Sequence, residues 1–329
     1  MSTQPIVIGL DGGGSYTRAL CADLAGHVRA AVQTGGANPS HNADAEQNVQ
    51  AAISQVIEQA GCTPADVVSL VAGLAGLDDP DDLIWAERFT SVSGLTIRPI
   101  CVNDAVVAHA GALRSRPGII AIAGTGSIIF GVTESGRHLR NYDFHQYGSN
   151  ARQLAYDTVY RILAGETQAT DSALVQQVLG HFGVADVRSL AELAATNEQQ
   201  NRQERNRHYG NLAPAITAAA ARNEPLAVAA CAAAGEALLR GIRLLGSLFV
   251  QETVECALIG SVIRSPAIKQ PLATALAQPT NKQYVLVEPV LAPAAGAILL
   301  ALQQRGVVVD DALCETLRAH PRADFHTGS

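Results

Sequence analysis

The sequence predicts an α/β protein of two related halves, each opening on a strand-turn-strand device that presents backbone amides to an anion. Three observations predict it. In Ile6–Arg18 an apolar run ends at Asp11, three glycines (Gly12, Gly13, Gly14) turn the chain, and Ser15 and Thr17 lead toward the apolar segment Ala19–Leu24. The same device returns as Ile119–Ala123, then Gly124-Thr125-Gly126-Ser127, then Ile128–Val132. Over residues 5–113 the pattern runs β-β-β-α-β-α-β-α, as in a mixed sheet that places ligands at the carboxyl ends of its parallel strands.

Taken in order, the first hairpin is followed by a third strand, His27–Thr34, which ends at Gly35-Gly36-Ala37-Asn38-Pro39. Asp44–Ala60 carries Val49, Ile53, Val56 and Ile57 at helical spacing, with Asp44 suited to the N-cap and Gly61 to the end. Val67–Gly76 is a continuous apolar run, as expected of a buried parallel strand. Asp78–Phe89 is predicted as a helix with Trp85 and Phe89 on one face, Leu95–Val102 as a strand, and Ala105–Leu113 as a helix that begins directly after Asn103-Asp104. Pro117-Gly118 separates the halves.

The second half is alanine-rich and helical. Helices are predicted over Ala151–Leu163, Ser172–Phe182, Val187–Ala195, Asn211–Arg222 and Pro225–Phe249, the last with so little polar relief that it should be buried. Asn197–His208 reads as a solvated polar segment despite its arginines. A strand over Val254–Ile259 ends in Gly260-Ser261, a helix covers Pro266–Ala277, and Tyr284–Val287 is a last strand. Ala292–Gln303 closes the pattern with Pro293 near its start, and the polar tail from Asp310 contains no motif.

Composition narrows the function. Hydrophobic residues make up 48% of the 329, enough for substantial cores in two domains. A net charge of −7 argues against non-specific nucleic-acid binding, which needs a basic surface. No apolar run is expected to reach the roughly 20 residues that span a membrane. Met1–Pro5 lacks the basic region of a secretory signal, so a cytoplasmic protein is expected. The six cysteines, Cys21, Cys62, Cys101, Cys231, Cys256 and Cys314, form no CxxC pair and read as buried thiols.

The glycine turns point to phosphates. Glycine permits positive φ and close backbone approach, and consecutive N–H groups make an anion nest. Asp11, at a strand end, is placed to hold a hydrated cation, so nucleotide phosphates with Mg²⁺ fit the stretch. An empty glycine-rich hairpin is the plain alternative, and the second loop weakens it. No Gly-Lys dipeptide makes a Walker A loop, and no strand-GxGxxG-helix unit makes a dinucleotide site. Lys269 and Lys282 are the only lysines, which leaves charge neutralisation to Mg²⁺, backbone dipoles and arginine. Asp104 stands at a strand end, where it could be a general base, the N-cap of the next helix, or both.

The ordered motifs Asp11-Gly-Gly-Gly-Ser, Ala72-Gly73-Leu74-Ala75-Gly76, Asn103-Asp104-Ala105, Ala123-Gly124-Thr125-Gly126-Ser127, Gly148-Ser149, Leu258-Ile259-Gly260-Ser261 and Ala292-Pro293-Ala294-Ala295-Gly296-Ala297 together resemble the BadF/BadG/BcrA/BcrD-type ATPase family, nearest its N-acetylglucosamine and glucosamine kinases. The resemblance implies a duplicated ribonuclease-H-like (actin-like ATPase) fold with two domains around a nucleotide cleft. The domains are expected at 1–117 and 118–329, the second with a helical insertion and a last helix free to pack back on the first. It implies an ATP-dependent sugar kinase using Mg²⁺, with a small-molecule sugar as partner; a homodimer is compatible with it.

Carried over by position, Asp11 through Ser15 with Thr17 match the first phosphate loop, and Asp11 would be the metal's residue. Gly124 through Ser127 match the second phosphate loop and Gly260-Ser261 the adenosine-side loop. Asp104 matches the catalytic aspartate. Asn38, Gly76, Gly148 and Ser149 fall where such kinases contact the sugar, with Asn103 and Gln146 beside them. One departure stands out: an acidic residue is expected two positions before Gly148-Ser149, and Gln146 occupies it. Glutamine can donate and accept hydrogen bonds but cannot pair with an ammonium. Asp143, in the shortened segment before it, is a candidate substitute. Two other readings of the same resemblance remain at this stage, an ATPase that activates a partner enzyme and a sugar sensor without turnover.

Overall fold

A computed structural model of the protein describes residues 5–196 and 202–325. The chain packs as two compact units. One comprises the residues up to Pro117 together with those from Glu288 onward, and the other is Gly118–Val287.

In the first unit, β1 (Ile6–Gly12), β2 (Tyr16–Asp23) and β3 (Val28–Gly35) form an antiparallel meander. Helix α1 (Ala45–Gln59) leads to β4 (Val67–Leu74), α2 (Leu83–Thr90) to β5 (Ile100–Asn103), and α3 (Asp104–Leu113) follows at once. The sheet order is β3-β2-β1-β4-β5, with β1, β4 and β5 parallel. Side chains alternate across a strand, so Ile6, Ile8 and Leu10 of β1 pack with Val49, Ile53 and Val56 of α1. Val7 faces the other way.

The second unit repeats this order. Strands β6 (Gly118–Ala123), β7 (Ser127–Val132) and β8 (His138–Arg140) are antiparallel. Among the described residues the helices α4 (Ala151–Leu163), α5 (Ser172–Phe182), α6 (Val187–Thr196), α7 (Arg202–Gly210), α8 (Ala213–Ala221) and α9 (Pro225–Gly246) follow. Strand β9 (Thr253–Ile259), helix α10 (Pro266–Leu276) and strand β10 (Gln283–Val287) complete it. The sheet reads β8-β7-β6-β9-β10, the first sheet's order with each strand replaced by its counterpart.

The chain then returns to the first unit through α11 (Pro293–Gln304) and α12 (Asp311–Arg318). The whole segment from Glu288 thus lies with the first unit, and the second ends at Val287 rather than at the C-terminus. Helix α11 packs with Val7 and Val71 through Ile298 and Leu302. Its approach is backbone to backbone. A Cβ on Gly9 of β1 would lie 2.4 Å from the Ala294 carbonyl oxygen, and one on Gly296 would lie 2.1 Å from that of Val107 in α3. The last carbonyls of α3, which a helix cannot satisfy internally, accept from this returning chain: Leu291 N–H donates to Gly111 O at 3.0 Å and Val290 N–H to Ala112 O at 3.3 Å.

Several elements differ from the sequence reading. The strand expected over Leu95–Val102 shortens to Ile100–Asn103, because Pro99 removes a ladder donor. Helix α2 starts at Leu83, after a 3₁₀ turn (Pro80–Asp82) in which Asp82 accepts from the Asp78 and Asp79 amides. Asp44 holds the N-cap position of α1 without a side-chain bond. Strand β8 is too short to leave a pattern. The tail from Asp310 contains α12, capped by Asp310 and burying Leu313, Cys314 and Leu317. Of the polar stretch Asn197–His208, residues 197–201 lie outside the described residues, and the remainder is helix α7.

Helix α9 corrects two expectations. By length and composition it could cross a membrane. Within the second unit it instead buries Leu226, Ala230, Leu238, Ile242 and Leu245 in the core and leaves Val228 exposed. It is half-buried rather than enclosed, since one stripe, Val228, Ala232, Glu236 and Arg240 at four-residue spacing, faces solvent.

The backbone contacts of α11 yield a stability test. Gly296→Ala should lower stability by about 3 kcal/mol, since neither neighbouring backbone can withdraw cheaply. Gly180→Ala, in open space on α5, should hold or gain about 1 kcal/mol. Thermal and denaturant unfolding of the two variants compare them directly.

Candidate active site

Register across β1, β4 and β5 gathers the acidic residues of the first unit. Gly12 pairs with Leu74, and Leu74 with Asn103, so the three carboxyl ends form one row. Asp11 stands just before this row, Asp104 just after it, and Asp78 follows β4. Burial raises the Asp11 carboxyl from its ordinary 3.8 to about 6, while Arg18, 3.7 Å away on the paired strand, works against the rise. Burial raises Asp104 further, to about 7, and the charges of Asp11 and Asp78 push the same way; the amides of Ala105 and of Asp104 itself oppose the shift.

Asp104 is not the cap of its helix. Asn103 is: its Oδ1 accepts from the Ala105 amide at 2.9 Å, and its Nδ2 donates to Leu77 O and to Asp78 Oδ1. Asn103, expected at the sugar, is therefore engaged in shaping the strand end. Sequence reasoning did not select Arg18 or Asp78. Arg18 could have been found from hairpin register, since it faces Asp11; Asp78 carries only a weak signal, its place after Gly76.

In the first glycine turn, the Gly13 amide donates to Tyr16 O at 2.9 Å. The carbonyls of Gly12, Gly13 and Gly14 accept from Ala75 N–H, Ala37 N–H and Asn42 Nδ2. None of the three glycines takes a left-handed φ, contrary to expectation. Gly12 is required for space, because a Cβ there would lie 2.7 Å from the Ala37 methyl; Gly13 and Gly14 have room for one. Gly14 and Ser15 are exposed at the tip. Thr17 is fully buried and its hydroxyl donates to Gly35 O at 2.8 Å, so it ties β2 to β3 and does not face a ligand. Asn38 and Gly76 come together: a Cβ on Gly76, whose φ is +89°, would lie 3.0 Å from Asn38 Nδ2.

The second unit assembles its own loops. Gly260, at φ +105°, lies so close to β6 that a Cβ would meet the Ala123 carbonyl oxygen at 2.4 Å. That same oxygen accepts from the amides of Val262 and Ile263. Gly124 neighbours Ser261, and its carbonyl accepts from the Ala151 amide at the start of α4. Thr125 and Gly126 are exposed. Ser127 Oγ is buried without a protein partner, with Gly148 packed against it and the buried Ser149 next in the chain. An orphaned hydroxyl beside a glycine turn fits a phosphate-bearing ligand.

Gln146 is not available as the sequence suggested. Both of its amide protons are used, toward Ala237 O on α9 at 2.8 Å and toward Tyr147 O at 3.1 Å, and its Oε1 accepts from Asn141 Nδ2. Asp143 is no substitute, because it accepts from the Arg140 amide and pairs with the Arg140 guanidinium. The cysteines are all free; burial pushes Cys21 and Cys256 to about 12 and Cys231 to about 11. Among the described residues no group of three or more His, Cys, Asp or Glu is arranged to hold a metal ion. Mg²⁺ does not need one, since it commonly takes one or two carboxylates along with phosphates and water.

Residues 8–301 match the BadF/BadG/BcrA/BcrD ATPase family. The chain belongs to that family. Among its relatives, a Clostridium acetobutylicum N-acetylmuramic acid/N-acetylglucosamine kinase is 34% identical over 137 residues, 41% of this chain and 45% of the other. A Vibrio cholerae glucosamine kinase is 28% identical over 231 residues, 67% of this chain and 74% of the other. The match to the Clostridium protein thus spans about half of that relative's length. Among solved structures, a Chromobacterium violaceum protein provisionally named an N-acetylglucosamine kinase superposes with a TM-score of 0.68 at 25% identity, covering 92% of this chain and 100% of the other. A ROK family glucokinase from Streptomyces griseus reaches 0.55 at 18% identity, covering 92% and 99%, and shares the fold. The BadF-type chain therefore has the duplicated ribonuclease-H-like, actin-like ATPase fold.

The desolvated carboxylates set a pH dependence of stability. Asp104 stays protonated in the folded, ligand-free protein up to about pH 7 but ionises near 3.8 when unfolded. The folded state therefore holds an extra proton between those values, and stability falls as pH rises through this window. Asp104→Asn should raise the melting temperature at pH 8, with a smaller gain at pH 5. Melting curves of both proteins across pH, without nucleotide, check the sign.

Proposed function

We propose that this BadF-family protein is an ATP-dependent kinase that transfers the γ-phosphoryl group of ATP to a hydroxyl of an amino sugar of the N-acetylglucosamine or glucosamine type. The observation that carries the reading is Asp104: a half-buried carboxylate just past the end of β5, its pKa raised toward neutrality by desolvation and by the charge of Asp11, a second half-buried carboxylate at the end of β1. A general base works best with a pKa near the working pH. The named relatives and the Chromobacterium structure support the same reading.

Each part then has a task. Asp104 orients the acceptor hydroxyl and takes its proton as the oxygen bonds to the γ-phosphorus and the bond to the ADP oxygen breaks. The turns Gly12–Ser15 and Gly124–Ser127 face the phosphates, with the Ser127 hydroxyl as a further donor, and Gly260-Ser261 lie on the adenosine side. Asn38, Gly76, Gly148 and Ser149 bound the acceptor. Asp11 is the residue suited to a hydrated Mg²⁺, which when bound offsets phosphate charge that lysines do not. Arg18 favours the ionised form of Asp11 that a cation requires. Reliance on ATP suits the cytoplasm.

ADP release measured with ATP and Mg²⁺ over amino and neutral sugars tests the function. Sugar-dependent turnover should appear, and Asp104→Asn should reduce it by about 10²–10⁴. Turnover indifferent to Asp104→Asn removes the base assignment. Bound ATP with no response to any sugar moves the reading to a partner-activating ATPase.

A further inference from the structure

The loop that carries Gln146 is built to present aromatic rings. Aromatic residues are only 4% of the chain, yet Tyr142, Phe144 and Tyr147 fall within six residues and are all exposed, Tyr147 to 66%. The Tyr142 and Tyr147 rings lie 5.7 Å apart at 45°. The loop beneath them is anchored. Asn141, fully buried, accepts from the Ile129 amide of β7 and donates to Gln146 O. Gln146 seats against α9 where Gly241 leaves space; a Cβ there would lie 2.7 Å from its Oε1. The Tyr142 hydroxyl donates to the carbonyl of Ser127 in the second phosphate loop. Exposed rings on a hydrogen-bonded loop beside the Gly124–Ser127 turn are placed to meet a ligand.

The geometry points to Tyr142 and Tyr147 as the acceptor-recognition wall, with Gln146 as the positioning residue that pins it, and to an uncharged N-acylated sugar as the acceptor in preference to one with a free ammonium. This rests on the kinase reading above. The loop offers an incoming ammonium no free carboxylate, since position 146 is a committed amide and Asp143 is paired with Arg140. Tyrosine faces instead suit the C–H face of a pyranose and an acyl methyl, while the Tyr142 hydroxyl holds its ring to the Ser127 carbonyl.

Calorimetric binding of N-acetylglucosamine and glucosamine to the full chain, run beside steady-state turnover, tests the inference apart from the kinase reading. N-acetylglucosamine should bind at least tenfold more tightly than glucosamine. Tyr147→Ala should weaken its binding about tenfold, a stacking-sized loss, and raise its KM with kcat and the KM for ATP little changed; Tyr147→Phe should stay within threefold. Gln146→Glu, which cannot donate to Ala237 O, should weaken N-acetylglucosamine without improving glucosamine. A switch toward glucosamine in that variant would show that position 146 touches the sugar and would overturn the pin. Unchanged binding in Tyr147→Ala, or an altered oligomeric mass in its place, would overturn the wall. Sugar binding that depends on Tyr147 with no ADP formed would support the wall and remove the kinase.

Discussion

The contact on which the first unit depends is the approach of α11 to β1 and α3 at backbone distance. Three glycines from distant parts of the chain, Gly9, Gly111 and Gly296, each stand where a Cβ would collide with a neighbouring main chain. Their effect is to bring a helix from the far end of the sequence onto the central strand, sealing the face opposite α1. The same returning segment satisfies the last carbonyls of α3. Because α3 begins at Asp104, the packing that holds α3 also fixes where the buried carboxylate stands. Side-chain contacts alone would allow such a helix to slide; main-chain contacts through glycines leave it one position.

Desolvation at that position is costly to a charged carboxylate. Two acidic groups share the ends of parallel strands, and neither is fully compensated. Asp11 has a partial partner in Arg18 at 3.7 Å, and Asp104 has only backbone amides against the charges of Asp11 and Asp78. A structure selected for stability alone would not assemble this row. Desolvation and like charge at strand ends raise a carboxyl's proton affinity toward neutrality.

The duplicated sheets have diverged in what they offer. Both run three antiparallel strands into two parallel ones, and both place a glycine turn after the first strand. Only the first turn is preceded by an aspartate. The second contributes an orphaned serine hydroxyl and a loop whose amide groups are spent on its own architecture. The two sheets thus carry different groups, carboxylates at the strand ends of the first and a neutral hydroxyl with aromatic side chains beside the second.

The sequence by itself determined the strand-turn-strand repeats, the parallel strands and the placement of Asp11 and Asp104 at strand ends. Those features follow from local periodicity and from glycine and acidic residues adjacent in the chain. Helix α12 was legible in principle, through the Asp310 cap and the spacing of Leu313 and Leu317, but its polar surroundings masked it. Tertiary structure alone decided the rest. Thr17 reads as a ligand hydroxyl until Gly35 is seen to accept from it. Gln146 reads as a sugar contact until α9, more than ninety positions on, supplies the carbonyl that uses its amide. Asp104 reads as a base with the helix cap as its plain alternative until Asn103 takes the cap. In each case the deciding partner is remote in sequence or depends on side-chain direction, and hydrogen-bonding capacity is spent by whichever group the fold brings within 3 Å.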